Sequence, residues 1–515
     1  MEPVPQHPFA PDVSFDGGDL DCGGGLLLLI RRHIDPMERG GLLEILSTDA
    51  SVEQDLPSWC RLTANELVAW TKQGKQRSYL VCKGPLAERA QKKTASPKPN
   101  TVRHLAVPVT IPEKLPAPAP APTIEPLSVM GIGSWPRPRW MLQAIHDHLE
   151  GRISEAEFQV TANDAARLAI DAQLRAGVDV VTDGEQRRDS YASFVGALLD
   201  NCQLIPLTDV AAMVDHPEEF EKELRALDVP AVDVRHPVVF GPLGRSRALA
   251  LHEFEFSRSI TSKPAKVALP GPYLLTRTMW LDCLTERPYE SREELARDVV
   301  RVLREELHYL LAAGVPLVQF DEPVLTEVVF TGAKTQRSFM CGALSEKKSA
   351  EQELAFAADL LNQVIRGLPA ARLALHICRG NWTRDERAAL SGDYRPLLWL
   401  LKQVQVETLF LELCTPRAGE MELLLDLPED RRLGVGVVNQ KLERVETVEE
   451  IVAKARQAIQ LFGKERVLLT PDCGFATFAD NPVASAKVAE GKLRQMAEAR
   501  DRLREGSRQP ASQVH

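Results

Sequence analysis

The chain has no excess of positive charge, no membrane-length apolar run and few cysteines for its size. Each absence excludes a class of function. Sixty-two Lys and Arg stand against 72 Asp and Glu, for a formal net charge of −10. That balance argues against nucleic-acid backbones and anionic membrane surfaces as partners. The apolar run Leu26–Ile30 is far too short to span a bilayer. Met1–Asp21 contains Pro and Asp and no basic stretch ahead of an apolar core, so no secretory signal is expected. Nine cysteines, odd in number and scattered, do not form a disulfide framework. The expectation is a cytoplasmic protein with reduced thiols.

What is present points to more than one domain. A chain of 515 residues with 44% hydrophobic content can bury more than one core. Its clearest boundary is the stretch 91–126, with SPKPN followed by LPAPAPAPTIEP. Alternating Pro and Ala favours extended polyproline II and predicts a semi-rigid spacer. It separates a small unit over 10–90 from a large one over 127–505, with a polar, disordered tail over 506–515. The small unit reads β-α-β-α-β-β. A helix is predicted over Leu26–Met37, a strand over Gly41–Ser47 and a helix over Val52–Cys60 with Ser51 as its N-cap. Glu66–Thr71 and Arg77–Lys83 form a hairpin around Gln73-Gly74-Lys75.

In the large unit, short apolar runs alternate with amphipathic helices such as Arg292–Ala313, Ala350–Arg366 and Val448–Leu461. Repeated βα units of this extent predict a (β/α)₈ barrel with insertions. The competing open doubly wound sheet would place a glycine-rich turn before a helix. Gly131-x-Gly133 runs into Ser-Trp-Pro instead. Three strand-like runs end in metal-ligand chemistry: LALHICRGNW with His376 and Cys378, TLFLELC with Glu412, and LLTPDCGF with Cys473. Residues i and i+2 of a strand share a face, so His376 and Cys378 project together. An imidazole, two thiols and a carboxylate suit tetrahedral zinc. Gly474 is expected to let the chain turn sharply beside Cys473. Cys414 is the rival ligand should Cys473 not converge. Other strand ends carry GIGSWPR, DGEQRR and QFDEP, where barrel sites are assembled. Glu443 and Glu446 are expected to face solvent, and Trp135 and Trp382 to pack.

Two resemblances extend this reading. LDCGGGLLLLIRRHIDPMERGGLLEILSTD, DLPSWCRLTANELVAW and SYLVCKG resemble the TusA-type sulfur carriers, small two-layer α/β sandwiches. Those carry a persulfide on a Cys-Pro-x-Pro cysteine, a position that falls on Cys22; the prolines are replaced by Gly23 and Gly25. GIGSWPRP, GVDVVTDGEQRRD, KVALPGPYLLT, PLVQFDEPVL, LHICRGN, LFLELC and LLTPDCGF resemble, in order, the catalytic half of the cobalamin-independent methionine synthases. That resemblance implies a barrel with zinc on His376, Cys378, Glu412 and Cys473. It also implies that Ser134, Glu185 and Asp321 hold the amino-acid part of a thiol substrate. The activity implied is methyl transfer to a thiol, homocysteine giving methionine, with methylfolate or a corrinoid protein as donor. This chain departs from the complete enzymes in having one barrel and no histidine in GVGVVNQKLERVET, where Asn439 is expected to face substrate. Trp280 lies beyond the place where a folate-stacking tryptophan is expected. Two other functions fit the sequence: a sulfur relay or other thiol alkyltransfer in which Cys22, served by a sulfur-transfer protein, feeds the barrel, and a non-catalytic zinc-binding scaffold.

Overall fold

The protein is described by a computed structural model over residues 3–20, 22, 26–91, 106–206, 235–280, 288–330, 348–381, 384–386 and 389–506. Trp382 and the tail from 507 lie outside the described residues. The small unit follows the order read from its sequence: β1 (Val13–Asp16), α1 (Leu27–Ile34), β2 (Leu42–Ser47), α2 (Val52–Leu62), β3 (Glu66–Gln73) and β4 (Gln76–Cys82). The sheet order is β1-β2-β4-β3, with β1 parallel to β2 and the other pairs antiparallel. Strand alternation puts Leu43, Ile45, Tyr79 and Val81 on the face that packs against Ile30, Ile34, Leu56 and Trp59 of the helices. Two local expectations fail. α1 stops at Ile34 rather than Met37, because Pro36 cannot donate to the helix and disfavours helical geometry before it. Ser51 does not cap α2 with its hydroxyl, which donates instead to Asp49 Oδ1 at 2.5 Å.

The large unit begins with helices α3 (Arg139–Leu149) and α4 (Glu155–Ala176) and an antiparallel hairpin of β5 (Asp200–Pro206) and β6 (Arg235–Gly244). It continues with α5 (Leu251–Ile260), β7 (Val267–Pro270), α6 (Pro272–Met279), α7 (Arg292–Ala312), β8 (Val318–Asp321), α8 (Val324–Phe330) and α9 (Ala350–Ile365). Then come β9 (Leu373–Ile377), α10 (Leu398–Gln403), β10 (Thr408–Leu411), β11 (Arg432–Val438), α11 (Val448–Phe462), β12 (Val467–Pro471) and α12 (Ala486–Gly506). Strands β7 to β12 form one parallel sheet in chain order. Parallel bridges Val129–Leu469, Met130–Val180 and Val181–Ala265 close it through two further rungs, giving a ring of eight. The predicted (β/α)₈ barrel is therefore present, with short strands. Alternate strand residues divide between two cores. Met130, Val180, Ala374, Phe410 and Leu468 fill the barrel interior, whereas Leu375, Leu409 and Leu469 pack outward against the helices.

The small unit docks on the β5–β6 hairpin. Gln203 Nε2 donates to Arg31 O at 2.9 Å and to Asp35 Oδ2 at 3.0 Å, and Arg32 lies over the Phe240 ring. The described part of the Pro-rich segment is 106–126. It lies on the barrel, because an extended backbone leaves its carbonyls free and barrel side chains take them. Arg372 donates to Ala119 O at 2.6 Å, and Asn201 donates to Val107 O at 3.0 Å.

Candidate metal centre and substrate pocket

Strand parity explains how the candidate ligands meet. In β9, Ala374 and His376 point into the barrel, and Cys378 continues that face one step past the strand. In β10, Phe410 points inward, so Glu412 does as well. Cys473 has the opposite parity to Leu468 and reaches the site only because the chain turns after Pro471. Asp472 fixes that turn. Its Oδ1 accepts from Leu413 N at 2.9 Å and Cys414 N at 2.8 Å, tying the loop after β12 to the loop after β10. Gly474 is needed for space rather than for an unusual backbone angle: a Cβ there would sit 2.2 Å from Ser134 Oγ.

One ligand atom each from His376, Cys378 and Cys473 lies within 4.8 Å of the others, and all three residues are buried. Cys473 Sγ is 3.5 Å from His376 Nε2. The hydrogen bond from Cys473, then His376, holds the Cys378 thiol well below its ordinary range in spite of burial. Cys473 is pushed up by the same bond and by burial. Burial opposes charging His376, but Cys378 and Asp321 outweigh it and raise its pKa. His376 Nδ1 is buried without a hydrogen-bond partner. One imidazole and two thiols converging in a buried cleft fit zinc.

Glu412 does not join that group. Its Oε1 accepts from Arg417 Nη2 at 2.5 Å and its Oε2 from Arg379 N at 3.0 Å. Burial, then Asp472, pushes its pKa up to about 8. Cys414 is not a member either: it lies half-buried, with its pKa raised by burial.

The three predicted substrate-binding residues open onto the same cavity. Ser134, Glu185, Asp321, His376, Cys378 and Cys473 line a cleft of about 410 Å³. Asp321 and His376 are register partners on β8 and β9. Glu185 has φ of +55°, an uncommon backbone for a non-glycine residue, held by its N–H donating to Asp183 Oδ1 at 2.9 Å. Its Oε2 is buried and unpartnered. Burial raises its pKa to about 7, with Arg188 opposing and Asp321 adding to the rise. Asp321 Oδ1 accepts from Gln319 Nε2 at 2.6 Å, and burial raises its pKa. Two buried carboxyls beside a thiol-rich cluster leave acceptor oxygens and sulfur chemistry in one cleft.

Residues 127–500 match the family described as the catalytic domain of cobalamin-independent synthase. The chain belongs to this family. Among its relatives, a methionine synthase from Saccharolobus solfataricus is 25% identical over 375 residues, 73% of this chain and 94% of that protein. One from Sulfolobus acidocaldarius is 26% identical over 353 residues, 68% of this chain and 86% of its own. A B12-independent methionine synthase structure from Shewanella sp. W3-18-1, in complex with selenomethionine, superposes with a TM-score of 0.56 at 24% identity. It covers 74% of this chain and 99% of that one. The cobalamin-independent synthase domain is thus a methionine synthase-family methyltransferase barrel, and the matched residues leave the small unit outside.

The sequence reading did not single out several groups around the family site. Lys266 is buried within the barrel and donates to Ile132 O at 2.6 Å and Gln319 Oε1 at 2.5 Å, which places it behind Asp321. Asn381 lines the cleft and donates to Gly474 O at 2.6 Å, bracing the Cys473 turn. A lysine inside an apolar strand and an asparagine after a ligand motif were the available signals. Glu446, expected in solvent, is buried and accepts from Lys492 Nζ at 2.7 Å; Glu443 is exposed as expected. Trp135 packs edge-on against Phe475, and Trp280 is buried. Cys22 is buried in the small unit's core. No helix among the described residues is long and apolar enough to cross a membrane.

Proposed function

We propose that this protein transfers a methyl group to the sulfur of homocysteine, giving methionine, with zinc held by His376, Cys378, Cys473 and, after a local shift, Glu412. The observation that carries the reading is the single cleft where Ser134, Glu185 and Asp321 face His376, Cys378 and Cys473. When bound, zinc supplies the positive charge that keeps a thiol deprotonated near neutral pH. Glu185 and Asp321 accept hydrogen bonds from the substrate ammonium, whose charge completes two carboxyls that burial has left under-compensated. The Ser134 hydroxyl donates to the substrate carboxylate. With the amino-acid part anchored, the sulfur is oriented at a methyl carbon entering the open side of the cleft. A sulfur–carbon bond forms, the bond from methyl to donor atom breaks, and that electron pair stays on the donor. Glu412 would hold the metal only on giving up its Arg417 contact.

The test is a transfer screen on zinc-loaded full-length protein. It pairs homocysteine, sulfide and other thiols with methylfolate and methylcobalamin donors. Methionine formation from homocysteine with one donor, at about one zinc per chain and lost in Cys473→Ser together with the zinc, is the expected result. Bound zinc with no methyl transfer to any thiol leaves the zinc-binding scaffold standing instead. The sulfur relay through Cys22 is the lesser reading, because a buried thiol is poorly placed to exchange sulfur with a partner.

A further inference from the structure

The loop after β11 carries one buried cation for which the reading so far has no use. Lys441 is 4% exposed, yet its Nζ has no hydrogen-bond partner. An ammonium in that condition is costly unless something nearby repays it. Burial, then Arg417, lowers its pKa, and Glu412, Cys473 and Cys378 act against them. Other buried lysines are committed: Lys266 to Ile132 O and Gln319, and Lys492 to Glu446 and Arg444 O.

The surrounding loop is tied down by its backbone and by the side chains of Asn439 and Gln440. Asn439 N donates to Glu446 Oε1 at 3.0 Å, and Asn439 Nδ2 donates to Glu386 Oε1 at 2.5 Å. Asn439 Oδ1 in turn accepts from Lys441 N at 2.9 Å. Gln440 Nε2 donates to Asn381 Oδ1 at 2.7 Å, joining the loop to the residue that braces the Cys473 turn. Asn439 is thus occupied in holding the loop rather than presenting itself to substrate.

We propose that Lys441 is a positioning residue for the metal centre, its uncommitted charge favouring an anionic sulfur over a neutral one at that site. The inference rests on the zinc–thiol reading above. Two thiolates and a carboxylate already carry more negative charge than a divalent ion offsets. A substrate thiolate adds to that excess, and a methyl thioether does not. An ammonium within electrostatic reach of Glu412, Cys378 and Cys473, on a loop tied through Gln440 and Asn381 to the Cys473 turn, therefore selects the thiolate and leaves the thioether product unaided.

The experiment compares zinc-loaded wild type, Lys441→Met and Lys441→Arg by calorimetric titration with homocysteine and with methionine, and by zinc retention against a chelator. In Lys441→Met, homocysteine binding is expected to weaken by about 10-fold or more, the scale of one nearby charge at intermediate dielectric. Methionine binding is expected to stay unchanged, zinc to be held at least as firmly, and Lys441→Arg to recover most of the homocysteine affinity. An unchanged ratio of homocysteine to methionine affinity in Lys441→Met overturns the proposal. So does a parallel loss of both ligands and zinc, the mark of a structural role. Should the Met variant not fold, Lys441→Gln decides by the same ratio. A wild type that binds no zinc or no homocysteine defeats the underlying function and this inference with it.

Discussion

Glu185→Gln separates what the cleft does for binding from what it costs the fold. Glu185 is 3% exposed, and its Oε2 has no partner. Burial lifts its carboxyl from an ordinary 4.5 to about 7. The folded protein therefore holds this proton more tightly than the unfolded chain does. Its stability falls as pH rises from 4.5 to about 7 and levels off above that. At 1.36 kcal/mol per decade of proton affinity, the ligand-free protein is destabilised at pH 8 by about 3 kcal/mol at most. Gln mimics the neutral carboxyl at all pH values, so the variant should unfold at a higher temperature than wild type at pH 8. The gain should vanish near pH 4.5. Replacing the ammonium acceptor should at the same time weaken homocysteine by about 10- to 100-fold, the loss of one charge-assisted hydrogen bond. Zinc content should not change. Scanning calorimetry at the two pH values and a homocysteine titration read these together. A destabilised variant at pH 8, or a gain of equal size at both pH values, would refute the argument that burial at Glu185 outweighs its Arg188 contact.

Two further outcomes follow from packing. Gly434 lies where a Cβ would stand 2.0 Å from Phe410 Cδ1, inside the barrel. Gly434→Ala should destabilise the barrel by about 1–3 kcal/mol through overpacking, and an unchanged melting temperature would contradict the tight interior described. Cys22→Ala should leave methyl transfer to homocysteine at the wild-type rate, and no radioactive sulfane sulfur should pass from a persulfide donor to wild-type Cys22. Loss of transfer in that variant, or labelling of the thiol, would bring the sulfur relay back.

The barrel was legible in the sequence because it depends on local periodicity, whereas Ser134, Glu185 and Asp321 were singled out by the resemblance. The H-x-C pair of His376 and Cys378 needs only strand alternation to share a face, and QFDEP places Asp321 at the end of a run that can only be a buried strand. Cys473 was legible by motif alone, since its parity points the wrong way until Asp472 redirects the chain through two backbone bonds to Leu413 and Cys414. Long-range bonds of that kind leave no periodic trace. The same holds for Glu446, whose neighbours in sequence read as a solvated turn. Its burial depends on Lys492, far along the chain in α12. The seating of 106–126 on the barrel was equally hidden, because Pro-Ala composition reports backbone shape and not what accepts its carbonyls.

The arrangement of charge explains why Glu412 stands apart from His376, Cys378 and Cys473. Glu412 is gripped by Arg417, and Arg417 also meets Glu386, which in turn holds Asn439. Asn439 anchors the backbone of Lys441. A single chain of contacts therefore runs from Glu412 to the loop that carries Lys441. Bringing Glu412 onto a metal would free Arg417 to pair with Glu386 alone. Glu412 and Lys441 are thus linked through Arg417, Glu386 and Asn439.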